Sequence, residues 1–304
     1  GMAAVGAFVA LAALGGQLRS PRCGGSLPTA ISSQVARESL AAPMRRDVAL
    51  AAGRVLAASA ASLAAHALAE DDDTQFRAEA NRATRLFNLG KYAEAEAAWN
   101  RVAEAFPTRP LALQNLATVE VVTTSSAMRL DEVPATGQAA ERLERAVAHF
   151  REARRLAGDR PPDALATNAE ANALALLGRY ADALDAYTRA ADAADRDFEA
   201  VPRANAALTL LQTGREGEGA RLAANIVRRD PNFADGFAIL AACEWRAGRR
   251  LEAERAFARL CREPSLCRRY RDPAAVAGRW PPLAQQVWAD FLRAENAGAS
   301  LSQD

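Results

Sequence analysis

Two histidines are all the imidazole in the chain, and their placing removes most catalytic chemistry. His66 lies in an alanine-rich N-terminal stretch, and His149 stands alone beside Phe150. A zinc site needs several ligands of this kind, and an activated nucleophile needs a base that a third group orients. The body of the chain has no phosphate-cradling glycine loop, no nucleophile elbow and no Cys-x-x-Cys pair. An enzyme would have to work with Asp, Glu, Arg or Tyr alone, so no catalytic residue, metal or cofactor is expected. Amide chemistry is better represented. Asn81, Asn115 and Asn205 open the triplets NRA, NLA and NAA, each two residues before an alanine. An amide side chain offers both a donor and an acceptor, so a row of them can pair with a peptide backbone whatever its sequence. The plainer role for the same amides is to satisfy carbonyls between helices.

The elements that must position them come from a repeat. LFNLGKYAEAEAAWNRVAEAFP (86–107), LALLGRYADALDAYTRAADAAD (174–195) and LAACEWRAGRRLEAERAFARLC (240–261) share one plan. Each reads as an apolar-periodic helix, a turn at glycine and a second helix with small residues turned inward. Gly90, Gly178, Gly214 and Gly248 mark the turns, the last three 36 and 34 residues apart. The first helices present Ala83, Ala117, Ala171, Ala207 and Ala241. The second helices present Ala95, Ala146, Ala183, Gly219 and Ala253, followed four residues later by Trp99, Phe150, Tyr187, Ala223 and Phe257. A large ring over a small residue lets paired helices interdigitate at interior density. Unit four has alanine in place of the ring and is expected to pack least tightly.

In this pattern the chain resembles the tetratricopeptide repeat superfamily. The resemblance implies an all-α, right-handed superhelix, with units near 76–109, 110–163, 164–199, 200–233 and 234–266 inside a domain spanning 70–266. It also implies that Asn81, Asn115 and Asn205 face a concave groove that grips an extended peptide. Asn168 and Asn172 would stand on neighbouring rows, and Arg77, Asn88, Gln114, Gln212 and Arg246 would share the groove. The Lys and Asn rows that grip a C-terminal carboxylate are missing, because Lys91 is the chain's single lysine and sits in a turn.

Ala117 and Ala146 are 29 residues apart where other units need 12, so VVTTSSAMRLDEVPATG (121–137) carries an insertion of 17. Its Ser, Thr, Pro and Gly content reads as an excursion from the solenoid, following a lengthened first helix. It is a binding loop or a tolerated surface loop. Beyond Pro264 the repeat stops, and Pro281 and Pro282 open a last amphipathic helix at about 282–296, within a capping segment and tail at 267–304. A solenoid's final unit exposes an apolar end, so capping is its expected role.

Cys243, Cys261 and Cys267 follow in this region. Cys261 and Cys267 straddle the turn at Pro264 and meet if the chain folds back. Cys243 and Cys261 lie on paired helices of unit five. An oxidising compartment permits one bridge. The default expectation is three reduced, buried thiols acting as small hydrophobes.

Charge singles out the N-terminus. The whole chain carries +1, yet residues 1–69 hold six arginines against Glu38 and Asp47. Alanine, serine, glycine and arginine without bulky apolar residues make the composition of an organelle transit segment. Arg45 and Arg46 precede a mild run, Val48 to Ala65, that ends in AHALA before EDDD (70–73). Ala67 and Ala69 form a small-x-small pattern that predicts cleavage after Ala69. A membrane span is disfavoured, since Arg54 at mid-bilayer would cost about 2.5–3.5 kcal/mol. The stretch resembles a twin-arginine signal peptide at 44–69, behind a plastid-type transit segment at 1–43. This address implies the chloroplast thylakoid lumen, or alternatively the bacterial periplasm. An alanine-rich helix with an incidental arginine pair is the plainer reading. Together, fold and address lead to a non-catalytic protein-interaction scaffold, with no nucleic acid partner and no membrane span after processing. Its work would be assembly or maintenance of thylakoid membrane complexes, or else support of a separate enzyme in a bacterial envelope.

Overall fold

A computed structural model describes residues 72–128 and 133–301. Arg45, Arg46 and the cleavage point after Ala69 lie outside the described residues, as do residues 129–132 of the insertion. From Ala80 onward the described chain forms one compact unit, while 72–79 group with a separate N-terminal one.

Among the described residues every regular element is helical. Helix α1 covers 72–88. It is followed by α2 (Tyr92–Ala105), α3 (Pro110–Ala127), α4 (Gly137–Ala157), α5 (Ala164–Leu176), α6 (Tyr180–Ala193) and α7 (Ala200–Gln212). Then come α8 (Glu216–Arg229), α9 (Ala234–Arg246), α10 (Arg250–Leu260), the short α11 (Pro264–Tyr270), a 3₁₀ turn at Pro273–Ala275 and α12 (Pro282–Leu301). From α2 to α10 each helix packs on the next in sequence, and α3 also meets α5 as α7 meets α9. The all-α repeat of paired helices expected from the sequence is the architecture observed.

The register is uniform because the same two devices recur. Helices α5, α7 and α9 each begin seven residues before the small alanine and end five after it. Ala171, Ala207 and Ala241 are all fully buried. The turn that follows is closed by a left-handed glycine. At Gly178, φ is 74°, its N–H bonds Ala175 O, and the N–H of Arg179 reaches back to Leu174 O at 2.8 Å. This six-to-one closure satisfies carbonyls that the helix end would leave bare. Gly90, Gly214 and Gly248 make the same turn.

Unit two departs by lengthening both of its helices. Helix α3 ends ten residues after Ala117, and α4 begins nine before Ala146 where the other second helices begin three before theirs. At 1.5 Å per residue the hairpin projects about 8 Å further than its neighbours. Most of the insertion is therefore helix. Its far end then turns inward, with the N–H of Ala135 bonding Leu176 O at 2.8 Å. Pro134 sits so close to Gly178 that a Cβ there would lie 2.8 Å from Pro134 Cγ.

Unit four compensates for its missing ring by closer approach. A Cβ at Gly219 would lie 3.0 Å from both Ala207 O and Cys243 Sγ, and Ala223 is fully buried. Small residues here draw α8 onto its neighbours, so the expected looseness does not arise at this contact.

Two findings revise expectations at the C-terminus. Cys261 and Cys267 form a disulfide with Cα atoms 4.3 Å apart, and Cys243 remains a free, buried thiol. The three cysteines are not all reduced, because the turn at Pro264 brings the ends of α10 and α11 together. Helix α12 does more than cap unit five. It lies across α7 and α9, the first helices of units four and five. Trp280, Val287, Trp288, Phe291 and Leu292 are buried there with Leu208, Leu211 and Ile239 in one core. Trp288 stacks edge-on to Phe257, Tyr270 and Trp280, and Phe291 to Trp245 and Phe257. Burying side chains of this size contributes about 2–3 kcal/mol each, so α12 is a fixed part of the fold.

Candidate functional site

Residues four apart share a helix face, so Leu111, Asn115 and Thr118 line one stripe of α3 with Gln114 beside them. Leu111 is exposed, and Gln114, Asn115 and Thr118 are half-buried. The Thr118 hydroxyl donates back to Gln114 O at 2.8 Å. On α1, Asn81 and Asn88 are exposed, with the half-buried Thr84 between them. Asn81 and Thr84 hold the same register against Ala83 as Asn115 and Thr118 hold against Ala117, and Asn88 follows one turn on.

Further along, the same register closes. Asn168 and Asn172 on α5 are buried, and Asn205 on α7 is 0 % exposed. The Asn205 amide donates to Asn168 Oδ1 at 3.2 Å, and Asn172 Oδ1 accepts from the Tyr187 hydroxyl at 2.7 Å. Burial pushes the Tyr187 pKa well above its ordinary value, which keeps the hydroxyl a donor. Gln212 Oε1 accepts the Leu283 N–H of α12 at 3.0 Å. These four amides serve the interior rather than an open groove, because α12 covers the face of α7 and α9 and the first helices pack on one another. Arg246 is exposed at the end of α9. Arg77 belongs to the separate N-terminal unit and pairs with Asp73 at 2.6 Å.

Leu111 and Leu165 had no part in the sequence reading, yet both are large exposed apolar residues. The signal was present: each lies six residues before its unit's small alanine, a position that α7 fills with Val201. The face that remains open thus comprises Asn81, Thr84 and Asn88, then Leu111, Gln114, Asn115 and Thr118, and finally Leu165.

Behind this face, buried carboxylates lock α4 in place. Glu120 of α3 meets His149 Nδ1 at 2.9 Å and Arg145 at 3.9 Å, and Glu170 of α5 meets Arg154. Arg142 spans three helices, bonding Glu96 at 2.8 Å and Thr124 at 3.1 Å. His149 thus joins α4 to α3 through Glu120. Among the described residues no group of His, Cys, Asp and Glu could hold a metal ion, and no helix is long and apolar enough to cross a membrane.

Fold and face together define a helical-repeat superhelix whose C-terminal half is covered by its own last helix. No protein-family model matches the chain, and no curated protein matches it. Among solved structures it is similar to YrrB, described as a TPR protein with an unusual peptide-binding site. The two are 20% identical with a TM-score of 0.46, over 62% of this chain and 88% of that one. It is also similar to MamA, at 15% identity and a TM-score of 0.47, over 60% of this chain and 94% of that one.

Proposed function

We propose that the chain is a non-catalytic interaction scaffold that takes an extended segment of a partner protein on the open stripe of α1, α3 and the start of α5. The observation that carries this reading is the grading of one register from exposed Asn81, through half-buried Asn115, to fully buried Asn205. Amides at the open end can bond a peptide backbone, and Leu111 and Leu165 can take up apolar side chains of the ligand. The groove is shorter than five units would provide, so the footprint falls on units one to three.

The working site of this scaffold is the thylakoid lumen, where it serves the assembly or maintenance of membrane complexes. Support comes from the acid-poor leader, the Arg45–Arg46 pair and the Ala67-x-Ala69 pattern. The disulfide between Cys261 and Cys267 suits an oxidising compartment. The same arginine pair favours a second reading, export to a bacterial envelope. Sequencing the mature N-terminus from a lumen fraction separates them: a start near Glu70 is expected, and a start near Met2 would sink both.

Groove function is tested by selecting ligands for the full chain from a library of displayed linear peptides. A selected peptide should lose about ten-fold or more in affinity for the Asn81→Ala/Asn115→Ala variant, since each lost amide forfeits bonds to the peptide backbone. Unchanged affinity would remove the stripe from consideration.

A further inference from the structure

Several turn and helix-end arginines in this protein meet a carboxylate. Arg179 pairs with Asp182, Arg215 with Glu218, Arg229 with Glu199 and Arg279 with Asp235. The segment 259–272 instead concentrates arginines without such a partner. Arg259, Arg262, Arg268 and Arg269 are exposed, and among the described residues none of the four is in an ion pair. Arg271 is exposed as well and lies over the Phe257 ring at 5.5 Å. The segment's two carboxylates are engaged as caps. Glu263 Oε1 accepts from the Ser265 N–H and hydroxyl at 3.3 and 2.9 Å, and Asp272 Oδ1 accepts from the Ala274 N–H at 2.9 Å.

The disulfide makes these arginines a patch. Arg262 and Arg268 each adjoin a bridged cysteine, and the cysteine Cα atoms are 4.3 Å apart. With about 3.8 Å between successive Cα atoms, the Cα atoms of Arg262 and Arg268 lie within about 12 Å of each other. Like charges held this close repel, whereas the turns at Gly178, Gly214 and Gly248 each pair their arginine with a carboxylate. Basic residues at a helix C-terminus complement its dipole. That accounts for Arg259 at the end of α10 and for Arg268 and Arg269 in the last turn of α11, and Arg269 also lies over the Tyr270 ring at 5.8 Å, but none of this supplies a carboxylate, and Arg262 has neither a helix end nor a ring.

We propose that the surface around the Cys261–Cys267 bridge is a second docking site, for an acidic, extended segment of a partner protein. Guanidinium forks bond carboxylates two at a time, so an Asp- or Glu-rich segment neutralises the patch with directional bonds. An anionic membrane is disfavoured, because docking at a bilayer uses an exposed apolar anchor beside the charge. Here Phe257, Tyr270, Trp280 and Trp288 are all at most 2 % exposed. The same burial leaves no ring on which nucleic-acid bases could stack. A scaffold with this patch in addition to the open stripe joins two protein segments rather than holding one.

A fluorescein-labelled oligo-glutamate peptide, titrated against the full chain and read by anisotropy, tests the site. Binding should weaken as salt rises, and fall about ten-fold or more in Arg262→Glu/Arg268→Glu/Arg269→Glu. The Asn81→Ala/Asn115→Ala variant should bind it as the parent does, which separates this site from the groove. If the charge-reversed chain folds poorly by circular dichroism, the corresponding triple Gln variant, which keeps side-chain length, should still show the loss. Equal binding by the folded triple variant overturns the proposal. So does absence of peptide binding, whether or not phosphatidylglycerol vesicles or oligouridylate bind instead.

Discussion

Gln212 Oε1 accepts the backbone N–H of Leu283 at 3.0 Å, joining the end of α7 to the first turn of α12 across 71 residues of sequence. Leu283 lies in the first turn of α12, where N–H groups have no partner within the helix. A residue placed to meet a ligand's backbone thus meets the chain's own. The bond is the interaction expected of the groove, satisfied internally.

Gln212→Ala should therefore behave as loss of a helix cap, costing about 1 kcal/mol by denaturant unfolding. Hydrogen exchange at the first turn of α12 should speed up while the α1–α3 amides stay as protected as before.

The asparagines should separate by position. Asn205→Ala leaves Asn168 without its donor in a fully buried place and should cost about 1–3 kcal/mol, with little change in the affinity of a peptide selected on the stripe. Asn81→Ala should leave unfolding within about 0.5 kcal/mol of the parent, as surface substitutions do, while weakening that peptide. A reversed pattern would place the groove at units four and five.

Gly178 and Gly214 share a φ near 74° but not their surroundings, since a Cβ meets Pro134 at Gly178 and open space at Gly214. Gly214→Ala should cost about 1–2 kcal/mol for left-handed strain alone. Gly178→Ala should cost more, because the 133–136 segment must also shift. Thermal denaturation of the pair gives the difference directly.

Glu295 on α12 has its pKa raised, first by burial and then by repulsion from Glu254, with Arg271 opposing. A carboxyl whose folded pKa lies above its unfolded one destabilises the fold when ionised, and that penalty fades as pH falls through the raised value. Glu295→Gln should raise the Tm at neutral pH, with the gain shrinking as the parent's carboxyl protonates below it. A gain that is constant with pH would exclude the electrostatic cause.

Replacing Cys261 and Cys267 together by serine opens a short loop and should lower stability by about 2 kcal/mol. Cys243 should not react with iodoacetamide in the native protein, because burial raises its thiol pKa and the residue is 0 % exposed. Labelling only after unfolding is the expected result.

The helical units were legible because each rests on local chemistry: a turn glycine, a small alanine and a ring four residues past its second small partner. Their register followed to the residue from those positions. The groove was legible in part. Asn81 and Asn115 carry the same triplet signal as Asn205, and nothing local distinguishes them. What differs is the neighbour each meets: Asn205 donates to Asn168, 37 residues back on α5, in a fully buried place. The unit-two insertion was misjudged in shape for a related reason. Its Ser and Thr content suggested a loop, yet Ser125 and Ser126 return their hydroxyls to Val122 O, and Thr124 takes Arg142 from α4. Hydroxyls that bond backward allow a helix to continue.

The placement of α12 also fixes the order in which the molecule can be made. The helices of units one and two, α2 to α4, pack on helices already synthesised by Ala193. The faces of α7 and α9 stay apolar and uncovered until α12 leaves the ribosome. Any premature stop or C-terminal nick would then release a chain whose front half is finished and whose back half is sticky, a clear mark for chaperones and proteases.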